Sequence, residues 1–289
     1  MTAKCGSCYW NVTIPSCAYS YMALYGENCD EWRPAKEYER GRPKGGRGGI
    51  SMTGTTPNVD TIIQGDCREE MRQFPDKYFD LCLTDPPYGI GEAAGKNQSR
   101  SKAFGSKTHA AHNTRKTVIP SKDYGNAAWD NKPPSEELFD ELFRVSKNQI
   151  IFGGNYFCLP PSPCWIVWDK DNSGDFADCE LAWTSFPTAV RKIKFRWNGM
   201  LQEDMKHKET RYHPTQKPVK LFMDILEKYS KPGDTVLDPF LGSGTTAIAC
   251  LKTDRRYVGI EKEPEYCEIA RKRVAAVPAR LDRWAEAEG

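Results

Sequence analysis

The amino-acid sequence predicts an α/β fold over residues 59–275, a mostly parallel β-sheet with an antiparallel edge and helices on its faces. Three observations carry this. Short apolar runs alternate with helix-patterned segments through the middle of the chain. Hydrophobic residues make up 39% of the sequence and charged residues 28%, which supports a substantial core and excludes a disordered chain. The length of 289 residues suits one α/β unit with short flanking segments.

Taken in order, residues 1–58 are rich in Cys, Gly, Pro and charge and close on Arg40–Gly49, RGRPKGGRGG, which reads as a flexible basic linker. Strands are expected at Asp60–Gln64, Phe79–Thr84, Gln149–Gly153, Trp165–Trp168, Thr235–Asp238 and Tyr257–Glu261. Helices are expected at Pro134–Val145, Pro218–Tyr229, Thr245–Leu251 and Pro264–Val274. Between the two halves, Leu181–Trp197 reads as antiparallel strands around a turn at Pro187. Residues 276–289 read as a C-terminal tail, and no internal repeat is found.

No apolar run approaches the roughly 20 residues of a membrane span. No apolar stretch follows a basic N-terminal start, so the expectation is a cytoplasmic protein without a membrane partner. The net charge of +2 says nothing about nucleic acid, but its distribution does. Residues 93–122 hold no acidic residue and seven basic ones: Lys96, Arg100, Lys102, Lys107, Arg115, Lys116 and Lys122. Arg191, Lys192, Lys194 and Arg196 form a second basic stretch. Each suits a phosphate backbone, and each is also what a solvated loop looks like. Four of the eleven cysteines, Cys5, Cys8, Cys17 and Cys29, crowd the N-terminus and form a candidate all-cysteine structural zinc site; reduced thiols without metal are the other reading. The remaining cysteines read as small core residues. His109, His112 and His207 are expected on exposed polar segments.

Two loops leave strand ends with unusual chemistry, and ligands of open α/β sheets bind at such ends. In Leu237–Ala247 a strand ends at Asp238, a turn through Pro239, Phe240, Gly242 and Gly244 follows, and a helix begins at Thr245 and Thr246. Glycines admit a ligand close to the backbone, and a helix N-terminus offers free N–H groups. The next strand ends at Glu261, whose carboxylate can accept from both hydroxyls of a ribose. The pair points to an adenosine-containing cofactor and leaves a nicotinamide dinucleotide open. In the second loop, Asp85, Pro86, Pro87 and Tyr88 follow the apolar run Phe79–Thr84. Two prolines stiffen the loop and remove donors, so it presents acceptors and one aromatic face. That set suits an amino group on a planar base. A nicotinamide enzyme leaves it unexplained.

On these residues the chain resembles the amino-group DNA methyltransferases, over roughly 59–275. Asp85-Pro86-Pro87-Tyr88 is similar to their catalytic motif, Asp238-Pro239-Phe240-x-Gly242-x-Gly244 to their cofactor loop, and Arg256–Glu261 to the strand that reads the ribose. His213–Pro218 resembles the segment that opens the cofactor half, and Gly65-Asp66-Cys67 one near the cofactor's adenine. The resemblance implies a Rossmann-like S-adenosylmethionine-dependent fold. The catalytic motif precedes the cofactor loop, the order of the circularly permuted β group. It further implies that Asp66, Cys67, Thr215, Lys217, Asp238, Pro239, Phe240, Gly242, Gly244, Thr245, Thr246 and Glu261 bind S-adenosylmethionine, with Thr215 and Lys217 near its methionine carboxylate. The resemblance also implies that Asp85 and the Pro86 carbonyl hold the amino group of a flipped base, and that Tyr88 stacks on it.

The implied activity is site-specific methylation of adenine N6 in double-stranded DNA, with cytosine N4 as the alternative. A catalytically silent DNA-binding protein and an RNA methyltransferase are the other classes. The target-recognition segment falls at 186–212, with Phe195 and Trp197 as candidate base contacts. The recognised sequence and a restriction endonuclease partner are not legible; a homodimer is one candidate assembly.

Overall fold

Apolar residues alternate along the central strands so that both faces of the sheet are covered. The computed structural model describes residues 58–90, 132–171, 177–197, 202–213 and 215–278. Within them the strands are β1 (Thr61–Gln64), β2 (Phe79–Thr84), β3 (Ser146–Phe152), β4 (Trp165–Asp169), β5 (Cys179–Thr184), β6 (Arg191–Lys194), β7 (Thr235–Asp238) and β8 (Arg256–Glu261). The helices are α1 (Cys67–Met71), α2 (Glu136–Val145), α3 (Val219–Tyr229), α4 (Thr245–Lys252) and α5 (Pro264–Ala275).

The strands form one sheet in the order β1-β8-β7-β2-β3-β5-β4-β6. The first five, β1 through β3, are parallel, and β5 runs antiparallel to both β3 and β4. Leu81 and Leu83 of β2, Ile150 and Phe152 of β3 and Val236 of β7 face the core built with α3 and α4. Their neighbours Cys82, Ile151 and Leu237 face the opposite core, built with α1 and α2. All eight side chains are at most 1% exposed, which is why these strands read as continuous apolar runs.

The helices carry legible start signals. Glu136 and Glu137 occupy the first turn of α2, and Pro264 opens α5, whose last turn holds Lys272 and Arg273. The six expected strands and four expected helices are present within a few residues of their expected bounds. The 181–197 segment is a correction. β5 and β6 do not pair across a turn at Pro187; β4 lies between them, antiparallel to β5 and parallel to β6. The apolar β4 (Ile166 and Trp168 buried) takes the protected inner place, and the exposed, charged β6 takes the edge. The short helix α1, capped by Asp66, was not expected.

Candidate active site

β2 and β7 are neighbours at the centre of the parallel sheet, and the chain leaves them toward opposite sides. This is a topological switch point, where the carboxyl ends of the strands open into a crevice. The Asp85 loop and the Gly242 loop leave these two ends side by side. A cleft of about 1020 Å³ lies over them, lined by Asp66, Cys67, Asp85, Pro87, Thr215, Lys217, Asp238, Pro239, Phe240, Gly242, Thr245, Thr246 and Glu261, among others. It is at the upper end of small-molecule sites, which run roughly 300–1,000 Å³. Gln216, Ser243 and Tyr266 line it too, and the sequence had not singled them out.

The Gly242 loop is held from below. Asp238 is buried, and its carboxylate accepts from the Thr84 hydroxyl at 2.8 Å, the Phe240 N–H at 3.0 Å and the Thr246 hydroxyl. Burial raises its pKa to about 6. Glu261 accepts from the Gly242 N–H at 2.7 Å and the Glu263 N–H at 2.8 Å. Gly244 opens α4 at φ +92, and a Cβ there would lie 3.0 Å from that of Ala270, so both the turn and the packing require glycine. Thr245 donates to the Lys217 carbonyl at 3.2 Å. The hydroxyls of Thr245 and Thr246 therefore brace the loop from within, as does Asp238. Gly244 itself does not line the cleft.

At the edge of the sheet, Asp66 caps α1 by accepting from the Arg68 N–H at 3.1 Å. Burial pushes the neighbouring Cys67 thiol up to about 12, so it stays protonated.

The segment before α3 is tied down by side chains. Gln216 accepts from the Ser243 hydroxyl at 3.0 Å and the Tyr212 N–H at 2.9 Å, and donates to Glu209 at 2.8 Å. Glu209 accepts from the Val219 N–H at 2.9 Å, which satisfies a free donor in the first turn of α3, and from Arg273 of α5 at 3.0 Å. His213 packs edge-on against Tyr266, with ring centroids 4.4 Å apart. Burial, then Lys217 and Arg211, lower its pKa to about 3, so it is neutral.

The Asp85 loop shows the largest departure from expectation. The Tyr88 hydroxyl donates to Asp85 Oδ1 at 2.7 Å, and the Lys217 ammonium donates to Oδ2 at 2.7 Å. Lys217, expected near a methionine carboxylate, thus pairs with the Asp85 loop while it lines the cleft. Its Nζ also lies 3.3 Å from the Tyr88 hydroxyl and 3.1 Å from Glu180 Oε2 on β5. Glu180 pairs through Oε1 with Lys170. Burial raises the Asp85 pKa, and Lys217 opposes that rise. Burial works against the Lys217 charge, but Asp85 and Glu180 outweigh it and hold the ammonium up to about 12. Tyr88 stacks on Tyr156, with centroids 4.9 Å apart and planes at 14°, so this ring face meets another ring. Pro86 is buried, and neither Pro86 nor Tyr88 lines the cleft.

The basic stretch at β6 is partly paired with acidic residues. Lys192 pairs with Asp169 at 3.2 Å, and Lys194 pairs with Asp171 at 2.9 Å. Arg196 also pairs with Asp171. Trp197 is 7% exposed and donates to the Gln216 carbonyl at 3.1 Å, and Phe195 packs against the core. Trp197 is therefore a core residue, whereas Phe195 is only partly buried. His207 is exposed, as expected, and pairs with Asp204. Cys5, Cys8, Cys17 and Cys29, the basic run 93–122, His109 and His112 lie outside the described residues. Among the described residues no group of His, Cys, Asp or Glu could hold a metal. No helix among them is long and apolar enough to cross a membrane.

The family model described as DNA methylase (N6_N4_Mtase) matches residues 168–272. YubD of Escherichia coli (strain K12), named as a methylase, is 27% identical over 244 residues, which cover 78% of this chain and 95% of YubD. The type II methyltransferase M.HinfI of Haemophilus influenzae is 27% identical over 251 residues, 76% of this chain and 69% of its own. The solved M1.HpyAVI–SAM complex aligns with a TM-score of 0.41 at 23% identity, covering 74% of this chain and 98% of that one. Residues 168–272 are thus similar to the N6/N4 DNA methylases.

Proposed function

We propose that this protein transfers a methyl group from S-adenosylmethionine to the exocyclic N6 amino group of adenine in double-stranded DNA. The observation that carries the reading is the placement of the Asp85 carboxylate beside the Gly242 loop, on neighbouring strand ends and in one cleft. The cleft's chemistry fits the cofactor. Glu261 and Asp66 offer acceptors for a ribose and an adenine, Phe240 an apolar face, and Thr215 and the start of α4 donors for a carboxylate. When bound, S-adenosylmethionine supplies an electrophilic methyl on a sulfonium.

The chain's own residues act on the acceptor. The Asp85 carboxylate accepts an N–H of the base amino group and orients its lone pair toward the cofactor side of the cleft. As the nitrogen bonds to the methyl carbon and the carbon–sulfur bond breaks, positive charge develops on nitrogen. A fixed carboxylate stabilises that charge before one N–H proton is released. Burial of Asp85 strengthens the effect, because little water competes with it. The adenine preference rests on the resemblance of a motif opening with Asp. The partner, a duplex with one base flipped out, follows from the same reading.

The test is incubation with methyl-labelled S-adenosylmethionine and duplex DNA, followed by digestion to nucleosides. N6-methyladenine is expected. Label on N4-methylcytosine overturns the choice of base, and label on RNA alone overturns the choice of nucleic acid.

A further inference from the structure

Asp85, the acceptor in the proposed reaction, has both oxygens engaged within the protein, one by Tyr88 and one by Lys217. Each oxygen has a second lone pair, so a base amino group can share Asp85 with these donors, but it gains the carboxylate's full acceptor strength only if one of them gives way. The Lys217 ammonium is the one with somewhere else to go. It sits between two carboxylates, 2.7 Å from Asp85 Oδ2 and 3.1 Å from Glu180 Oε2, on a side chain only 7% exposed. A small movement of Nζ transfers its strongest contact from one carboxylate to the other without passing through water. Glu180 is built for the second role. It lies on β5 away from the cleft lining, and Lys170 fixes its other oxygen, so it cannot follow the ammonium.

We infer that Glu180 is a positioning residue, the second seat of the Lys217 ammonium, which takes the charge when the target amino group engages Asp85. The inference rests on the amino-transfer reading above and deepens it. Without a substrate base, Lys217 compensates the buried Asp85 carboxylate, which would otherwise be a desolvated charge without a cation. With the base in place, Glu180 keeps the ammonium compensated while Asp85 serves the amino group. The exchange trades one charge-assisted hydrogen bond for another, so capturing the base costs little. If Glu180 is neutral, the ammonium has one carboxylate left and competes with the base for it.

Steady-state methyl transfer to duplex DNA by the wild type, Glu180→Gln, Lys217→Gln and the double variant tests this, with cofactor affinity measured alongside. Glu180→Gln keeps the shape and is expected to raise KM for DNA by roughly tenfold or more, the value of a charged hydrogen bond, while cofactor affinity stays within about twofold. In the Lys217→Gln background the same substitution is expected to change KM by less than about twofold. Equal losses in both backgrounds would mark Glu180 as merely structural and overturn the inference. So would an unchanged KM in Glu180→Gln, or a Lys217→Gln variant that binds cofactor but transfers nothing. A wild-type protein that transfers no label overturns the functional reading and this inference with it. Wild-type transfer with Glu180→Gln unaffected overturns the inference alone.

Discussion

Asp85 and Asp238 end adjacent strands, yet their carboxylates meet different surroundings and are expected to respond differently to loss of charge. Asp238 accepts only from groups of its own loop and of β2, so its role is to hold the Gly242 turn. Its pKa rises from 3.8 to about 6 in the folded protein because the charged form is desolvated. The folded state therefore binds a proton that the unfolded state has released across that window. This group makes stability fall as pH rises from 3.8 to about 6. Asp238→Asn is expected to fold and to lack that component, which difference melting curves against the wild type over the same range would show. Asp85→Asn keeps one acceptor oxygen but turns an N–H₂ toward either Lys217 or Tyr88. Its transfer rate should fall by about two to three orders of magnitude, with cofactor affinity little changed. An Asp85→Asn variant with near-wild-type transfer contradicts the acceptor role. At this scale the sequence is legible where a residue type has few other uses, as in Asp-Pro-Pro-Tyr after an apolar strand. It does not reveal Glu180, which sits in an ordinary strand pattern and acquires meaning only when β5 lies beside β3. Nor does it reveal that Lys217 turns to Asp85, a contact spanning 132 residues of sequence.

At the scale of elements, the parallel core is readable because its strands are short apolar runs, four of them closed by Gly or Asp and β8 by Glu261. The β5–β6 pairing is not legible in the sequence because alternation is the same whether a strand pairs with its sequence neighbour or crosses over another. The crossover is decided by burial of Ile166 and Trp168 in β4, a tertiary fact. The turn after β3 shows how closely the elements fix the site. Gly153 has φ +66, and a Cβ there would lie 2.1 Å from Tyr88 Cε1. Gly153→Ala is expected to cost about 1–3 kcal/mol of stability through overpacking and strain. It should also lower transfer by shifting Tyr88 away from Asp85, which a melting curve and a rate measurement would separate. A variant as stable and active as the wild type would show that the turn does not set the position of Tyr88.

At the scale of the whole molecule, β1, β7 and β8 carry the proposed cofactor side, β2 leads into the acceptor, and β5 and the segment before α3 carry the Glu180 and Lys217 charges behind it. Ligand binding should stabilise the entire sheet. S-adenosylmethionine at a hundred times its Kd adds about 2.7 kcal/mol, and a protein of this size gains roughly 2–4 °C in Tm per kcal/mol. Glu261→Gln, which retains an acceptor for Gly242, is expected to lose most of that rise. A full rise in this variant would remove Glu261 from the cofactor site. The central claim is that Asp85 delivers a base amino group to this cofactor in duplex DNA, and labelled transfer by the wild type and Asp85→Asn, read as digested nucleosides, tests it most directly. Label on N6-methyladenine is expected for the wild type and almost none for Asp85→Asn. Label on neither adenine nor cytosine, or equal label from both proteins, would contradict it.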